Sequence, residues 1–140
     1  KNALAQKEFV LAADIDPNQL WLLEEGHCFR SQVLNLCELR QSSDFHFRYE
    51  TGNMETLRRM VDNSDGITIL PELAVMEFPA EKQQWVKRFQ NPTPVRQVSL
   101  VTHRHHIKTR LLEAVKDEIL LSVPLPMQQP ANHKIVDITY

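Results

Sequence analysis

Two cysteines, Cys28 and Cys37, are the residues of this 140-residue chain whose type and spacing point most directly to chemistry. A cysteine thiolate is a nucleophile that peroxide oxidises, and a second thiol can then condense with it to form a disulfide. Cys28 lies beside His27 and near Arg30, and a nearby cation lowers the pKa of a thiol. We therefore expect Cys28 to be the nucleophile of the pair.

The segment between the cysteines predicts a helix that starts at or near Cys28. Its apolar residues Phe29, Val33, Leu36 and Cys37 recur at the spacing of one helical face. Nine helical positions separate the thiols by ~13 Å along the axis and ~180° around it, whereas a disulfide needs Cα atoms within ~7 Å. A disulfide would therefore require this helix to unwind, which makes oxidation a conformational switch.

Cys37 shares the apolar stripe of that helix, where burial should raise the pKa of its thiol. We expect it to be the resolving thiol, unreactive until the helix opens. The spacing leaves the opposite reading open, in which Cys37 is a small core residue and Cys28 an incidental surface thiol.

The rest of the pattern alternates strands with helices. Strands are predicted at 19–23, 44–49, 67–70, 85–89 and 96–102, a turn at 91–94, and further helices at 54–61, capped by Asn53, and at 107–121. Pro124, Pro126 and Pro130 predict an extended tail. Such alternation predicts an α/β fold whose sheet is mostly parallel and flanked by helices.

Composition excludes several functions for this chain. Sixteen basic against eighteen acidic residues give a formal charge of −2, too little positive charge for nucleic-acid binding by the chain alone. Its three glycines match no phosphate-binding loop, and the apolar runs are too short for a membrane span or signal peptide, so we expect a cytoplasmic protein. His103, His105, His106 and His133 are expected to be solvated rather than metal ligands, and we expect no cofactor.

The run Glu24-Glu25-Gly26-His27-Cys28-Phe29-Arg30, with a second cysteine nine positions later, resembles the redox centre of peroxide-sensing LysR-type transcription activators. Segments 56–61 and 66–71 are similar to the effector-binding domain of the same family, and the resemblance extends from about Ala3 to about Leu121. It implies a periplasmic-binding-protein-like lobe and a redox-sensing regulatory domain rather than an enzyme.

The resemblance also implies roles for individual residues. Cys28 would react with hydrogen peroxide, and Cys37 would be its disulfide partner. His27, Arg30 and Arg96 would form the peroxide pocket, where a cation stabilises both the thiolate and the departing oxyanion. Ser31 stands where family members commonly have an aspartate, and its hydroxyl can relay a proton through water.

As a member of this family the chain would be a fragment. Residues 1–100 would form the second lobe of the regulatory domain, 101–122 a strand and helix returning toward the first lobe, and 123–140 a tail. DNA and RNA polymerase would be contacted through the full-length parent, a homo-oligomer. The apolar face of Leu111, Leu112, Val115 and Ile119 would lack its usual cover, which predicts self-association.

Two other functions fit the sequence less well. An ordinary LysR-type lobe would bind an anionic effector at a helix start near Ser31 or Asn53, with the cysteines as passengers. A catalytic thiol peroxidase would use the same cysteine chemistry, but turnover needs a reductant site that no motif marks.

Overall fold

Short strands and helices alternate along the chain in the computed structural model, which describes residues 3–39, 49–103, 108–128 and 133–137. The strands are β1 (Phe9–Val10), β2 (Leu22–Leu23), β3 (Glu50–Thr51), β4 (Arg88–Phe89), β5 (Thr93–Val95) and β6 (His133–Ile135). The helices are α1 (Cys28–Leu36), α2 (Met54–Asp62), α3 (Glu72–Val75), α4 (Ala80–Gln83), α5 (Thr109–Ser122) and α6 (Leu125–Gln128). Two 3₁₀ turns, Ala3–Gln6 and Ala12–Asp14, lie near the start.

The strand pairs of the described residues are all parallel, as the alternation of strands and helices predicts. They are β1 with β4, β2 with β3, and β5 with β6. β2, α1 and β3 form a βαβ unit, because parallel neighbours need a crossover and α1 lies in it. The described residues therefore have the α/β organisation that the sequence predicts, with parallel strand pairs and helices between strands.

The core lies where α1 packs against β2. Leu20, Leu22 and Val33 are buried together, and partly buried apolar side chains surround them. Phe29 and Cys37, from the two ends of α1, are among those surrounding side chains. The apolar stripe predicted for this helix is therefore its packed face.

Helix α2 begins where the sequence predicts. The Asn53 side chain accepts hydrogen bonds from the backbone N–H groups of Glu55, at 2.8 Å, and Thr56, at 3.2 Å. An asparagine at this position satisfies donors that the first helical turn leaves without partners.

Predicted strands in this part of the chain are shorter in the structure or lie outside the described residues. Strand 67–70 is reduced to a bridge between Ile67 and Leu20. Strand 85–89 shortens to β4, because 80–83 form a helix and Trp85 follows it in a turn with 60% of its surface exposed. The predicted strand at 44–49 lies outside the described residues except for Tyr49.

The prediction of a turn at 91–94 followed by a strand at 96–102 is wrong, since the strand is β5 and the described residues after it have no regular structure. Val95 accepts a hydrogen bond from the N–H of Val136 at 2.9 Å, so its polar groups face β6. The backbone N–H and C=O groups of successive strand residues point to opposite sides, so the backbone of Pro94 faces away from β6. A proline, which has no N–H, is tolerated there because no hydrogen bond to β6 is needed from that residue.

The prolines predict an extended tail, but the structure shows a short helix and a strand there. Residues 125–128 form α6, because Pro124 precedes the helix and Pro126 lies in its first turn, where a backbone N–H has no helical acceptor. Residues 133–135 form β6 against β5. Pro130 lies outside the described residues.

Helix α5 carries an apolar face that the described residues leave largely uncovered. It begins at Thr109 and ends at Ser122, close to the predicted 107–121. Leu111 is 60% exposed and Ile119 47% exposed, whereas Leu112 is partly buried. None of the described helices combines the length and apolar character that crossing a bilayer requires.

Candidate functional site

Helix α1 presents Cys28 at its first position. His27 is the N-cap in an extended conformation, and its side chain makes no capping hydrogen bond. The Cys28 thiol is exposed, at the helix end where backbone N–H groups concentrate positive potential. This placement agrees with the predicted position of the nucleophile.

Cys37 occupies the opposite end of α1 in a different environment. It is the C-cap residue, its backbone N–H donates to Val33 at 3.1 Å, and its side chain packs against the core. Burial raises the pKa of the Cys37 thiol from 9.0 to about 11. The second thiol is thus partly buried and less acidic than a free cysteine, as the apolar stripe predicts, and its role as the resolving thiol stays a prediction.

The two thiols are separated as the helical spacer predicts. Neither cysteine is in a disulfide, and the sulfurs are not at disulfide distance. All the residues from Cys28 to Leu36 are helical, and nine positions correspond to a rise of ~13 Å. The thiols can therefore meet only if α1 loses its helical structure.

Arg30 anchors the first turn of α1 to the neighbouring strands. Its Nη1 donates to the Leu23 carbonyl at 2.8 Å and forms an ion pair with the Glu50 carboxylate at 2.6 Å. Only 11% of the Arg30 side chain and 34% of the Glu50 side chain are exposed. The guanidinium thus ties the helix that carries Cys28 to both β2 and β3.

Arg96 reaches the same turn from the segment after β5. Its guanidinium carbon lies 5.8 Å from the centre of the Phe29 ring, a cation–π distance. Phe29 follows Cys28 directly, so this contact brings a cation to the end of α1 that carries the exposed thiol. The sequence places Arg96 far from Cys28, and the structure brings the two regions together.

The remaining predicted pocket residues, His27 and Ser31, also belong to the start of α1. Both side chains are partly exposed, and Ser31 lies one turn after Cys28 on the same side of the helix. The predicted residues therefore gather around one helix end, while Cys37 stands apart.

A small cavity lies beneath this helix end. Its volume is about 10 Å³, room for roughly one water-sized molecule. Arg30 is the charged residue at its wall, and the other lining residues are Leu22, Leu23, Phe29, Val33, Met54, Leu57, Thr68, Ile69 and Leu70.

Sequence reasoning missed two polar residues in the middle of α1. Gln32 donates to the Val136 carbonyl at 3.2 Å, and Asn35 donates to the Asp137 carbonyl at 2.8 Å. Their spacing of three marks them as one polar face of the helix, but only the structure shows that the tail covers it.

Among the described residues, no group of three or more histidine, cysteine or acidic side chains is arranged to hold a metal ion. His103 and His133 are within the described part, whereas His105 and His106 are not. The cations that the structure places at this helix end are the guanidinium groups of Arg30 and Arg96.

Comparison with known proteins finds one family and relatives that are transcription regulators. Residues 1–122 match the LysR substrate binding domain family. The chain is 41% identical over 100 residues to the Escherichia coli K12 "DNA-binding transcriptional dual regulator OxyR", an alignment covering 69% of this chain and 32% of that protein. A Haemophilus influenzae "Hydrogen peroxide-inducible genes activator" is 29% identical over 119 residues, covering 82% and 39% of the two chains.

Solved structures similar to this chain come from the same kind of regulator. The chain is similar to crystal structures of OxyR from Porphyromonas gingivalis, a mutant at a TM-score of 0.83 with 28% identity and the reduced protein at 0.74 with 30% identity. These comparisons cover 96% and 95% of this chain, and 61% and 58% of the other chains. The chain spans about a third of the length of the curated relatives it matches.

Proposed function

This chain belongs to the LysR substrate binding domain family, and we propose that it is the peroxide-sensing part of the regulatory domain of an OxyR-like transcription activator. The observation that carries the proposal is the contrast between its thiols. One is exposed at a helix start, where Arg96 lies over the ring of the neighbouring Phe29, and the other packs against the core at the far end of the same helix.

The proposed chemistry begins at Cys28. Its thiolate sulfur attacks one oxygen of hydrogen peroxide, the S–O bond forms as the O–O bond breaks, and the departing hydroxide takes up a proton. Cations and hydrogen-bond donors reduce the cost of charge developing on the departing oxygen, a role for Arg96 as a cation and for His27 as a donor. Ser31 can pass the proton through water, and Arg30 holds the helix end in place.

The second step joins the two ends of α1. The helix unwinds, the Cys37 sulfur attacks the sulfenic sulfur of Cys28, and water leaves as the disulfide forms. The altered fold of residues 28–37 would then change the packing of the oligomeric parent on DNA, and with it the response of RNA polymerase.

Trapping sulfenic acid tests these roles. In Cys37→Ser, one equivalent of hydrogen peroxide followed by dimedone should give an adduct on Cys28, located by peptide mass spectrometry. In the matched variant Cys28→Ser, the same treatment should leave Cys37 unmodified. An adduct on Cys37 formed as fast as that on Cys28 would reverse the assignment.

A second function, binding of a small anionic effector, has one structural observation in its favour. The start of α1 has no side-chain cap, which leaves backbone donors near Ser31 for an anion. The start of α2 is less suitable, because the Asn53 side chain already accepts from two of its N–H groups. A peroxide-indifferent protein whose Tm rises with carboxylate metabolites would favour this function.

We also propose that the domain division predicted from the sequence applies, with residues 1–100 as the second lobe, 101–122 as the connection toward the first lobe and 123–140 as a tail. The exposed face of α5 supports it, since Leu111 and Ile119 need a cover that the described residues do not provide. Sedimentation should show self-association that Leu111→Lys weakens. A wild-type chain that stays monomeric at high concentration would contradict this.

A further inference from the structure

The end of the chain is attached to α1 at two points. β6 pairs with β5, and the next residue, Val136, donates its N–H to Val95 at 2.9 Å. The carbonyl of Val136 accepts from the Gln32 side chain, and that of Asp137 accepts from the Asn35 side chain. Residues 133–137 thus connect β5 to the middle of α1.

Helical geometry is what allows both contacts. Gln32 and Asn35 are three positions apart, so a helix places them on one face with a rise of ~4.5 Å. In an extended chain the same two residues would be ~10 Å apart with side chains on opposite faces. The two consecutive carbonyls of 136 and 137 could not then hold both amides.

The Gln32 contact is partly buried, whereas the Asn35 contact is exposed. Gln32 is only 6% exposed, although it is polar. The Val136 carbonyl satisfies its Nε2 donor, while its Oε1 is buried without a hydrogen-bond partner among the described residues, so loss of the Val136 contact would leave a second buried polar atom without a partner.

We propose that residues 133–137 are a latch that holds α1 helical, so that docking of this segment and formation of the Cys28–Cys37 disulfide exclude each other. The inference rests on the proposed function, because it concerns the step that joins the two cysteines. Both latched residues, Gln32 and Asn35, lie between the cysteines, in the part of the chain that must rearrange. By linkage, the disulfide should weaken docking of the latch by the same factor as the latch disfavours the disulfide.

The latch takes part in no bond exchange. When oxidised dithiothreitol is the oxidant, the two protein thiols lose two protons and two electrons, the disulfide forms, and the reagent is reduced to its dithiol. Residues 133–137 affect only the conformational cost of bringing the sulfurs together. The equilibrium with dithiothreitol therefore measures the latch without any peroxide.

Two variants of Val136 form a matched test in the full chain. Val136→Pro removes the N–H that bonds to Val95, whereas Val136→Ala keeps it. Losing one such hydrogen bond changes an equilibrium by about fivefold, so Val136→Pro should raise the oxidation constant by about that factor above Val136→Ala. Equal constants in the two variants would overturn the latch.

Asn35→Ala gives an independent test, because the latch and the helix propensity of alanine change the oxidation constant in opposite directions. Alanine favours helix more than asparagine does, so without a latch this variant should resist unwinding and have a lower oxidation constant. With the latch, loss of the bond to Asp137 should outweigh that gain and raise the oxidation constant. A fall in the constant would contradict the inference even if Val136→Pro failed to fold.

Amide hydrogen exchange distinguishes failure of the latch from failure of the proposed function. In the reduced wild-type chain, the Val136 amide should be protected, and oxidation should remove that protection. If the disulfide forms while Val136 remains protected, the latch is wrong and the redox function stands. If no Cys28–Cys37 disulfide forms with any oxidant, the proposed function itself is wrong.

Discussion

Alkylation of Cys37 in the reduced, folded chain should be slower than that of an ordinary cysteine, by a factor that follows from its pKa. Only the thiolate reacts, and burial raises the pKa of Cys37 to about 11. At pH 8 about one molecule in a thousand then carries the thiolate, against about one in ten at the ordinary pKa of 9.0. A more basic thiolate is intrinsically more reactive, by up to about tenfold for this difference, so a net slowing of at least about tenfold remains.

Iodoacetamide labelling followed by peptide mass spectrometry measures this difference. The Cys37 rate in the folded chain is compared with its rate in urea, and Cys28, exposed at the helix start, is the internal reference. The Cys37 rate should also continue to rise with pH up to about 11, since the thiolate fraction increases until then. Labelling of native Cys37 as fast as in urea would refute the assignment of a buried resolving thiol.

Three further predictions concern stability. Glu50→Gln leaves the largely buried Arg30 without its carboxylate and should lower the free energy of unfolding in urea by about 1–2 kcal/mol, whereas Glu72→Gln, from an exposed ion pair, should cost under about 0.5 kcal/mol; equal losses would contradict the anchoring role. Because the pKa of Cys37 is raised in the folded chain, the unfolded chain loses the thiol proton at a lower pH, and the free energy of unfolding should fall between pH 9 and 11. With allowance for the partial exposure of Cys37, the fall should be about 1 kcal/mol larger than in Cys37→Ala. Asn53→Ala should cost about 1 kcal/mol, and Asn53→Ser should recover most of it.

The elements that local patterns specify were predictable from the sequence. α1 and α2 begin where the apolar stripe and the Asn53 cap predict, because side chains at three- and four-residue spacing and a cap act within a few turns. The parallel pairing also followed from the order of strands and helices. The contrast between an exposed Cys28 and a buried Cys37 needed no more than helix geometry.

The strands after Trp85 were predicted poorly for a physical reason. Pro94 can lie in a strand only if its backbone nitrogen, which carries no hydrogen, points away from the partner strand, so the prediction requires knowledge of that partner. The partner is β6, about 40 positions later, among prolines that locally favour a non-helical, extended chain. A single sequence contains no local signal for such a pairing.

The candidate site divides in the same way. His27, Cys28, Arg30 and Ser31 are neighbours in sequence, so a helix start gathers them automatically. The contact between Arg96 and Phe29, the Arg30–Glu50 pair and the tail over Gln32 each join distant segments. Family resemblance supplied Arg96, but the residues that hold α1 from outside required the structure.

One equivalent of hydrogen peroxide, followed by intact mass and amide exchange on the same sample, shows whether the disulfide forms only as α1 unwinds. We expect the wild-type chain to lose the mass of two hydrogen atoms and the amides of α1 to lose protection at the same time, while Cys28→Ser shows neither change. Loss of those two hydrogens with α1 still fully protected would refute the redox switch, since a Cys28–Cys37 bond cannot close across an intact helix.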